Sequence, residues 1–598
     1  MATIPRAGAV FAFALALPVL AGAACQIEML ELPVKMVGSR AVATVGINGT
    51  PVPLTVDSGA FFSILTEAAA TQLNLRLRQL RGMRVQGITG EMDARVTTVE
   101  KLGLLKGDVA DVEFVVGGNE PGAGTMGLMG RNILSFTDTE YDLAHGMIRF
   151  SFPNDDCAKA NLAYWAGAAH VTEVDLEVDH RTRSKTPALR ARVKLNGKEL
   201  VALLDTGAST LVTAQAARSA GVTGAEMTPA GTIYGGGRGR ARSWTAPFER
   251  FEIGDEAISH NRLRVGDFRL DDADLLLGID FFLSHRIYVS NKQAKLFITY
   301  NGGKVFALNR SDATGGAASA AVDAATGGAA TEGSAATLAS ADELARRAAA
   351  SASRQDYERA RADLNAAIEL EPTSAAHFAQ RGAVHEALKR RAEAMADFDK
   401  AIELDPAQTD ARFRRAVLRV VGADRDGARS DLDALDKALA PQAQTRLAMA
   451  LLYLDLEQPA KSLEQLNQWL AAHPREVRRE VALNGRCWAR TLLGIELDQA
   501  LDDCNSAIDA EPRNASYLNS RGWLQLRLGK YDRALADFDR SIELRPRSPS
   551  SLYGRGLVRI RLGDAPRGDA DLVAARGAQA DIDARLARAG LVAAEPKR

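Results

Sequence analysis

The 598-residue sequence lacks the motifs that several common enzyme chemistries require. Its 8 histidines are scattered and include no His-Glu-x-x-His pair, the spacing that places two zinc ligands on one helix face. No glycine-rich phosphate loop ending in Gly-Lys-Ser/Thr occurs, and neither a Ser/His/Asp nor a Cys/His arrangement has a local signature. These absences disfavour a zinc hydrolase, a nucleotide-binding enzyme and an enzyme with a serine or cysteine nucleophile.

An excess of charge of either sign is also missing. Lys and Arg number 74 against 75 Asp and Glu, and the net charge of −1 argues against a global attraction to nucleic acid or to an anionic membrane. The Gly-Gly-Gly-Arg-Gly-Arg run at 235–240 has the composition of an RNA-binding segment, but we interpret it as a mobile glycine loop. Hydrophobic content of 46% is ordinary for a globular protein, and the length predicts three or four domains.

The N-terminus has the pattern of a targeting segment. An apolar stretch from Ala9 to Leu20 follows Arg6, and Ala21-Gly22-Ala23 fits the small-x-small rule for signal cleavage. Residues 1–24 are therefore predicted to be a signal peptide. The stretch is short for a membrane span and contains Pro18, and a retained anchor is the alternative. The Ala- and Arg-rich composition is typical of bacteria, so we expect export to the periplasm with no stable membrane span after cleavage.

Cysteine is rare, and the 4 cysteines form two pairs by location. Cys25 and Cys157 flank a strand-rich segment, whereas Cys487 and Cys504 lie within one unit of a helical region. In an oxidising compartment both pairs are candidate disulfides, the first only if signal cleavage retains Cys25. Four buried thiols are the alternative. A lipid anchor on Cys25 is disfavoured because Gly22, three residues before it, is not a large aliphatic residue.

One local sequence occurs twice, 148 residues apart, as Asp57-Ser58-Gly59-Ala60 and Asp205-Thr206-Gly207-Ala208. We call each copy a tag. A single Asp-Thr-Gly is weak evidence, because these residues form ordinary turns. The surroundings repeat at the same offset, with an Asn-Gly pair before each aspartate and two glycines after it: Asn48-Gly49 and Asn196-Gly197, Gly87 and Gly235, Gly130 and Gly278. We infer two copies of one lobe, each contributing one carboxylate.

Both copies, at residues 36–152 and 175–300, have strand patterns. Each Asn-Gly pair is a strong hairpin signal, and the apolar residues before each aspartate place its carboxylate at a buried strand end. Hairpins at 84–92 and 231–244 have glycine-rich tips that we interpret as flaps over a substrate, since glycine supplies mobility and close approach to a peptide. Plain surface hairpins are the alternative. The flap glycines are Gly87, Gly90, Gly235, Gly236 and Gly237.

Asp57 and Asp205 are the candidate catalytic residues. Two carboxylates held close together cannot both ionise, so they share a proton, and one acts as base while the other acts as acid. Such a pair activates a water molecule against a peptide bond and needs neither a metal nor an organic cofactor.

These elements resemble a retroviral-type (retropepsin-like) aspartic protease monomer, present twice over roughly 265 residues. The resemblance implies an all-β, two-lobed fold with one active site, fused in one chain as in pepsin, and a peptide or protein substrate in the cleft. It also implies that Ser58 and Thr206 bond across the lobe interface and that Gly59 and Gly207 shape the loops around the two aspartates.

Two features depart from the family pattern. Ser58 stands where the family usually has threonine, which keeps the hydroxyl and loses a methyl group. Phe61-Phe62 after the first tag is bulkier than Ser209-Thr210 after the second. We therefore expect an asymmetric cleft.

The C-terminal region has a different period. Residues 311–340 are dominated by Ala, Gly, Thr and Ser and are predicted to be a flexible linker. Beyond them, helical units of about 34 residues with small residues at helix crossings and a terminal proline resemble the tetratricopeptide repeat, an all-α solenoid. We count about seven repeats over residues 341–580, then a capping helix and tail at 581–598; another α-solenoid is the alternative. The recurring prolines are Pro372, Pro406, Pro441, Pro474, Pro512 and Pro546.

Such an array performs no chemistry and presents a concave face to a peptide or protein partner. Arg527 and Arg561, 34 residues apart, would favour an acidic ligand if they line this face. Because only the linker joins the two regions, we expect the array to fold independently of the lobes.

Together these patterns predict an exported aspartic endopeptidase with a C-terminal protein-binding array. The alternative is a catalytically inactive periplasmic adaptor that binds peptides through both regions without cutting them.

Overall fold

The computed structural model describes residues 25–79, 85–105, 107–118, 124–177, 188–235, 237, 239–306, 339–476 and 478–592. The predicted signal peptide and nearly all of the predicted linker lie outside the described residues. Within this part of the chain the fold is multidomain, as predicted, with a strand-rich region followed by a run of helices. None of the described helices is long and apolar enough to cross a membrane.

The first lobe is built from twelve strands and two short helices among the described residues. They are β1 (Ile27–Val37), β2 (Arg40–Ile47), β3 (Thr50–Val56), β4 (Ile64–Leu65), α1 (Glu67–Gln72), β5 (Arg78–Gln79), β6 (Val85–Gly87), β7 (Gly90–Met92), β8 (Ala94–Leu104), β9 (Gly107–Gly117), β10 (Gly127–Met129), α2 (Arg131–Leu134), β11 (Asp138–Asp142) and β12 (Met147–Pro153).

The second lobe has a similar order of elements but ten described strands. Its elements are β13 (Thr172–Asp175), β14 (Arg190–Leu195), β15 (Lys198–Asp205), β16 (Leu211–Thr213), α3 (Ala214–Ser219), β17 (Thr228–Tyr234), β18 (Arg240–Ile253), β19 (Glu256–Gly266), β20 (Leu275–Gly278), α4 (Ile279–Phe282), β21 (His285–Ser290) and β22 (Lys295–Tyr300). The number differs because β17 is the only described strand between α3 and β18, where the first lobe has β5, β6 and β7 between α1 and β8.

Each lobe contains a closed six-stranded barrel. The order is β2-β3-β10-β4-β9-β8 in the first lobe, with β8 pairing back to β2, and β14-β15-β20-β16-β19-β18 in the second, with β18 pairing back to β14. The Asn-Gly pairs form two-residue hairpin turns, in which Asn48 and Asn196 have φ angles of 49° and 50°. Positive φ at both turn residues matches the twist of a hairpin, and Asn and Gly adopt it most readily.

A sheet shared by both lobes joins them beneath the barrels. Its order is β13-β22-β21-β11-β12-β1, and β11 of the first lobe pairs antiparallel with β21 of the second, with Thr139 opposite Val289. The fully buried Glu140 pairs with Arg149 of its own lobe at 2.7 Å and with Arg286 of the other at 2.8 Å. β1 begins at Ile27, before residue 36, where the sequence places the start of the lobe. The two lobes therefore form one unit within a single chain.

The C-terminal region consists of seven consecutive helix pairs and a final helix among the described residues. They are α5 (Ala341–Ser353), α6 (Tyr357–Leu370), α7 (Ala375–Ala387), α8 (Arg391–Leu404), α9 (Thr409–Val421), α10 (Arg425–Ala438), α11 (Thr445–Asp455), α12 (Pro459–Ala472), α13 (Arg479–Leu493), α14 (Leu497–Ala510), α15 (Ala515–Arg527), α16 (Tyr531–Leu544), α17 (Pro549–Arg561), α18 (Ala565–Ala578) and α19 (Ile582–Arg588). We call α5–α19 the array.

Within a helix pair, small residues on the first helix pack against large side chains on the second. A Cβ at Gly382 would lie 2.6 Å from the ring of Phe398, and one at Gly522 would lie 2.7 Å from that of Phe538. A second contact also recurs along the array and was not predicted from the sequence. In six of the seven described pairs an arginine of the first helix binds an aspartate of the second, as Arg521 binds Asp537 at 2.7 Å. The α11–α12 pair differs, with Arg446 binding Gln465 instead.

The array also packs on the two lobes. α5 lies against β1, and Ala350 is part of the hydrophobic core of the lobes. Nη1 of Arg354 donates to the carbonyl oxygens of Leu283 and Gly302, each at 3.1 Å. The prediction that only the linker joins the two regions is therefore wrong. Small residues such as Ala350 have the same pattern on a helix whether they face a neighbouring repeat or another domain.

Candidate active site

The two tag aspartates meet where the barrels face each other. Asp57 directly follows β3 and Asp205 ends β15, and each of these strands lies parallel to a neighbour, β10 or β20. The carboxyl groups of Asp57 and Asp205 are hydrogen-bonded to one another. We call them the carboxyl pair. The repeat in sequence thus becomes an approximate two-fold arrangement in space.

The residues after each aspartate bond across the interface. Ser58 N–H donates to Thr206 Oγ1 and Thr206 N–H donates to Ser58 Oγ, both at 3.0 Å. The same hydroxyls donate to carbonyl oxygens of the opposite strand, Ser58 Oγ to Leu204 at 3.0 Å and Thr206 Oγ1 to Val56 at 2.9 Å. Because Ser58 and Thr206 are fully buried, no solvent substitutes for these bonds. The structure thus places both hydroxyls in the cross-lobe contact that the resemblance implies.

The tag glycines allow the carboxyl groups to approach. A Cβ at Gly59 would lie 2.5 Å from Cγ of Asp205, and a Cβ at Gly207 would lie 2.4 Å from Cγ of Asp57. Any larger residue would push the opposite carboxyl group out of place. Backbone N–H groups hold each carboxylate, with Ala60 donating to Asp57 Oδ1 and Gly207 donating to Asp205 Oδ1, both at 2.8 Å.

Burial and proximity make the two carboxyl groups unequal. Burial, reinforced by the neighbouring charge of Asp57, raises the pKa of Asp205 well above its usual range. Burial also raises the pKa of Asp57, but the hydrogen bonds from the Ala60 N–H and from Asp205 oppose that rise. Two carboxyl groups this close together cannot both ionise readily, so the pair shares one proton. This is the state in which one group can accept a proton and the other donate one.

The predicted flap glycines lie in two hairpins whose tips touch. β6 and β7 turn at Ile88-Thr89, with Gly87 opposite Gly90. Thr89 O accepts from the N–H of Gly239 at 2.7 Å, and Thr89 Oγ1 donates to Gly237 O at 3.2 Å.

Close packing at the tips explains the glycines. A Cβ at Gly235 would lie 2.5 Å from Ile88, and one at Gly237 would lie 2.2 Å from Gly90 O. Ile88 belongs to the same apolar cluster as Ala208, which follows the second tag. The first hairpin therefore reaches over to the loop that carries Asp205. Gly236 lies outside the described residues.

Three features of the site were missed in the sequence. Nη1 of Arg40, at the start of β2, donates to Gly207 O, and its charge lowers the pKa of both members of the carboxyl pair. Ser63 is held by Asn132, with its N–H 2.7 Å from Asn132 Oδ1, and Thr210 is held in the same way by Asp280 at 2.8 Å. The guanidinium of Arg131 lies 5.2 Å from the ring centroid of Phe61.

The equivalence of Ser63 and Thr210 can be found in the sequence if the offset between the two lobes is allowed to vary by one residue. Ser63 lies six residues after Asp57, whereas Thr210 lies five after Asp205. The first loop is therefore one residue longer, and a fixed offset of 148 misaligns these hydroxyl residues. The extra residue falls at Phe61-Phe62, where the sequence predicts asymmetry.

Both cysteine pairs are joined in the structure. Cys25 bonds to Cys157 and so ties the start of β1 to the segment after β12. Cys487 on α13 bonds to Cys504 on α14, with Cα atoms 5.5 Å apart.

The two arginines proposed for an acidic ligand have partners within the array. Arg527 Nη1 donates to Gly590 O at 3.5 Å and Arg561 Nη1 to the Tyr531 hydroxyl at 3.4 Å.

Comparison with known proteins agrees with this geometry. The Aspartyl protease family model matches residues 43–133 and again residues 191–281, and Tetratricopeptide repeat models match residues 378–408, 496–549 and 520–582. The chain therefore combines two aspartyl-protease-like lobes of the retropepsin type, which together hold one carboxyl pair. A tetratricopeptide repeat array follows these lobes in the same chain.

Two solved structures that are similar to the chain are tetratricopeptide repeat proteins. One is from Parabacteroides merdae ATCC 43184, at 20% identity and a TM-score of 0.33, covering 42% of this chain and 98% of that one. Another is YrrB, described as having an unusual peptide-binding site, at 20% identity and a TM-score of 0.29, covering 32% of this chain and 97% of that one. Curated proteins gave no match.

Proposed function

We propose that the protein is an exported aspartic endopeptidase that hydrolyses peptide bonds through Asp57 and Asp205. The observation that supports this most strongly is the hydrogen-bonded carboxyl pair, in which burial and mutual repulsion favour a single shared proton. Cross-lobe hydroxyl bonds hold the pair, and two glycine hairpins meet above one of its loops. All three features serve a reaction that needs positioned acid and base groups.

The proposed reaction proceeds in two steps. In the first step Asp57 takes a proton from a water molecule while the water oxygen attacks the peptide carbonyl carbon. At the same time Asp205 gives its proton to the carbonyl oxygen. The resulting tetrahedral diol breaks its C–N bond as Asp57 passes its proton to the leaving nitrogen. A diol hydroxyl returns a proton to Asp205 as the carbonyl reforms, and the pair regains its starting state.

The proposal includes export and a role for the array. Two disulfides support an oxidising compartment, for which we propose the bacterial periplasm. Tetratricopeptide repeats stack into extended surfaces suited to peptides and proteins, so we propose that the array binds a protein partner.

The test uses the purified chain beginning at residue 25. It is incubated with a mixture of denatured proteins from pH 3 to pH 8, and new N-termini are identified by mass spectrometry. We expect new termini with the wild type and none with Asp57→Asn or Asp205→Asn, because either change leaves the pair without a complementary acid and base. Asp155→Asn, whose side chain is fully exposed, is the matched control and should retain activity.

Two outcomes contradict the proposal in different ways. Cleavage by the variant carrying both substitutions would exclude this mechanism. Peptide binding by the wild type without any new terminus would instead favour the adaptor.

A further inference from the structure

The flap of the second lobe is held by the array as well as by the first lobe. Tyr234 ends β17 and faces Arg240 at the start of β18, so the two residues flank the glycine tip. Arg240 Nη2 lies 3.0 Å from Glu480 Oε2, and its Nη1 lies 3.0 Å from Glu511 Oε1. Both glutamates belong to the edge of the array where α13 begins and α14 ends.

Further contacts surround this double ion pair. Arg240 Nη1 also donates to Ala510 O at 3.4 Å, and the Tyr234 hydroxyl lies 3.5 Å from Glu511 Oε1. The guanidinium of Arg478 lies 6.0 Å from the ring centroid of Tyr234. Both strands of the flap are therefore attached to the same edge of the array, next to the tip.

The ion pair is sheltered from solvent. The side chain of Glu480 is 3% exposed and that of Arg240 is 23% exposed. Removing one partner of a buried pair leaves an uncompensated charge, which is far more costly than losing an exposed pair. If the flap moves away from the carboxyl pair, Arg240 must therefore separate from Glu480, or this edge of the array must move together with the flap.

We propose that Glu480 and Glu511 form a clamp that keeps the second-lobe flap closed, so that the position of the array controls access to the carboxyl pair. Arg240 is the positioning residue through which the clamp acts. The inference rests on the proposed peptidase function, because it concerns access to that site. It adds that release of this array edge is a condition for a substrate to enter.

The first readout is deuterium exchange of the flap amides in the full chain, which requires no peptidase activity. In Arg240→Met, and in Glu480→Gln combined with Glu511→Gln, we expect exchange within 228–245 to be about tenfold faster than in the wild type. Arg240→Lys keeps the charge but cannot bind both glutamates with the geometry of a guanidinium. The exchange rate of its flap amides should therefore lie between those of the wild type and Arg240→Met. Adding Arg240→Met to the glutamate variant should give no further increase, because both changes release one contact.

A second ion pair between the array and the lobes supplies a matched control. Arg475 lies 2.8 Å from Glu67 on α1 of the first lobe, and Arg475→Met should leave flap exchange unchanged. Unchanged exchange in the clamp variants would overturn the proposal. Equal acceleration in the Arg475 control would also overturn it, since the array would then loosen the lobes in general.

Turnover provides the second readout. With a peptide taken from the cleavage experiment, the clamp variants should show an increase of severalfold in kcat/KM without a shift in its pH dependence. A fall in kcat/KM would overturn the closed-flap role. If the wild type cuts no peptide, the peptidase proposal fails, whereas the exchange experiment still decides whether the clamp exists.

Discussion

The cross-lobe hydroxyl bonds give a sharp prediction, tested by Thr206→Val. Valine has nearly the shape of threonine, so the change removes the hydroxyl without leaving a large cavity. The Ser58 N–H then loses its acceptor and the Val56 carbonyl loses its donor, which lie 3.0 Å and 2.9 Å from Oγ1. A buried polar group without a partner costs about 1–3 kcal/mol, so the two together cost about 2–6 kcal/mol.

Deuterium exchange of segments 52–63 and 200–211 measures this cost locally. A loss of about 2 kcal/mol corresponds to roughly thirtyfold faster opening, which is the smallest effect we expect. Thr206→Ser is the matched control, because it keeps the hydroxyl and removes one methyl group, worth about 0.8 kcal/mol and about fourfold in exchange. Similar exchange in the valine and serine variants would refute the role assigned to the hydroxyl.

The remaining predictions concern charge, covalent links and processing. Cleavage should show a bell-shaped pH profile, rising as the carboxyl pair loses its first proton and falling as it loses the second. Arg40→Met removes a charge that lowers the pKa of both groups, so both limbs of kcat/KM should move to higher pH; an unmoved profile would exclude this role. Mass spectrometry of non-reduced peptides should show Cys487 linked to Cys504, and replacing both with alanine should cost about 3 kcal/mol in the unfolding free energy, measured with urea. N-terminal sequencing should place the mature start near Ala24; a start at Met1 would contradict cleavage.

The sequence was most informative where a function needs particular residues at a repeated spacing. The tags, the Asn-Gly turns and the flap glycines could be recognised because few other residues permit such turns and close approaches. The repeats of the array could be recognised because their small and large residues alternate in register, as with Gly382 and Phe398.

Contacts between distant segments could not be predicted in the same way. Arg40 reaches Gly207 only because the shared sheet fixes the two lobes relative to one another. A one-residue difference in loop length hid the equivalence of Ser63 and Thr210. The sequence around Tyr234 and Arg240 is typical of the ends of two ordinary strands. It gives no sign that Glu480, 240 residues further along the chain, forms an ion pair with Arg240.

The position of β1 bears on how the chain completes its fold. This strand pairs with β12 and β2 and is joined through Cys25 to Cys157, yet it also supports α5, which follows the last strand of the lobes by some 40 residues. The packing of β1 is therefore completed only by a helix that lies more than 300 residues later in the chain. A fragment that ends at Tyr300 would leave bare the surface on which α5 packs, so the lobes should be produced together with at least the first helix pair of the array.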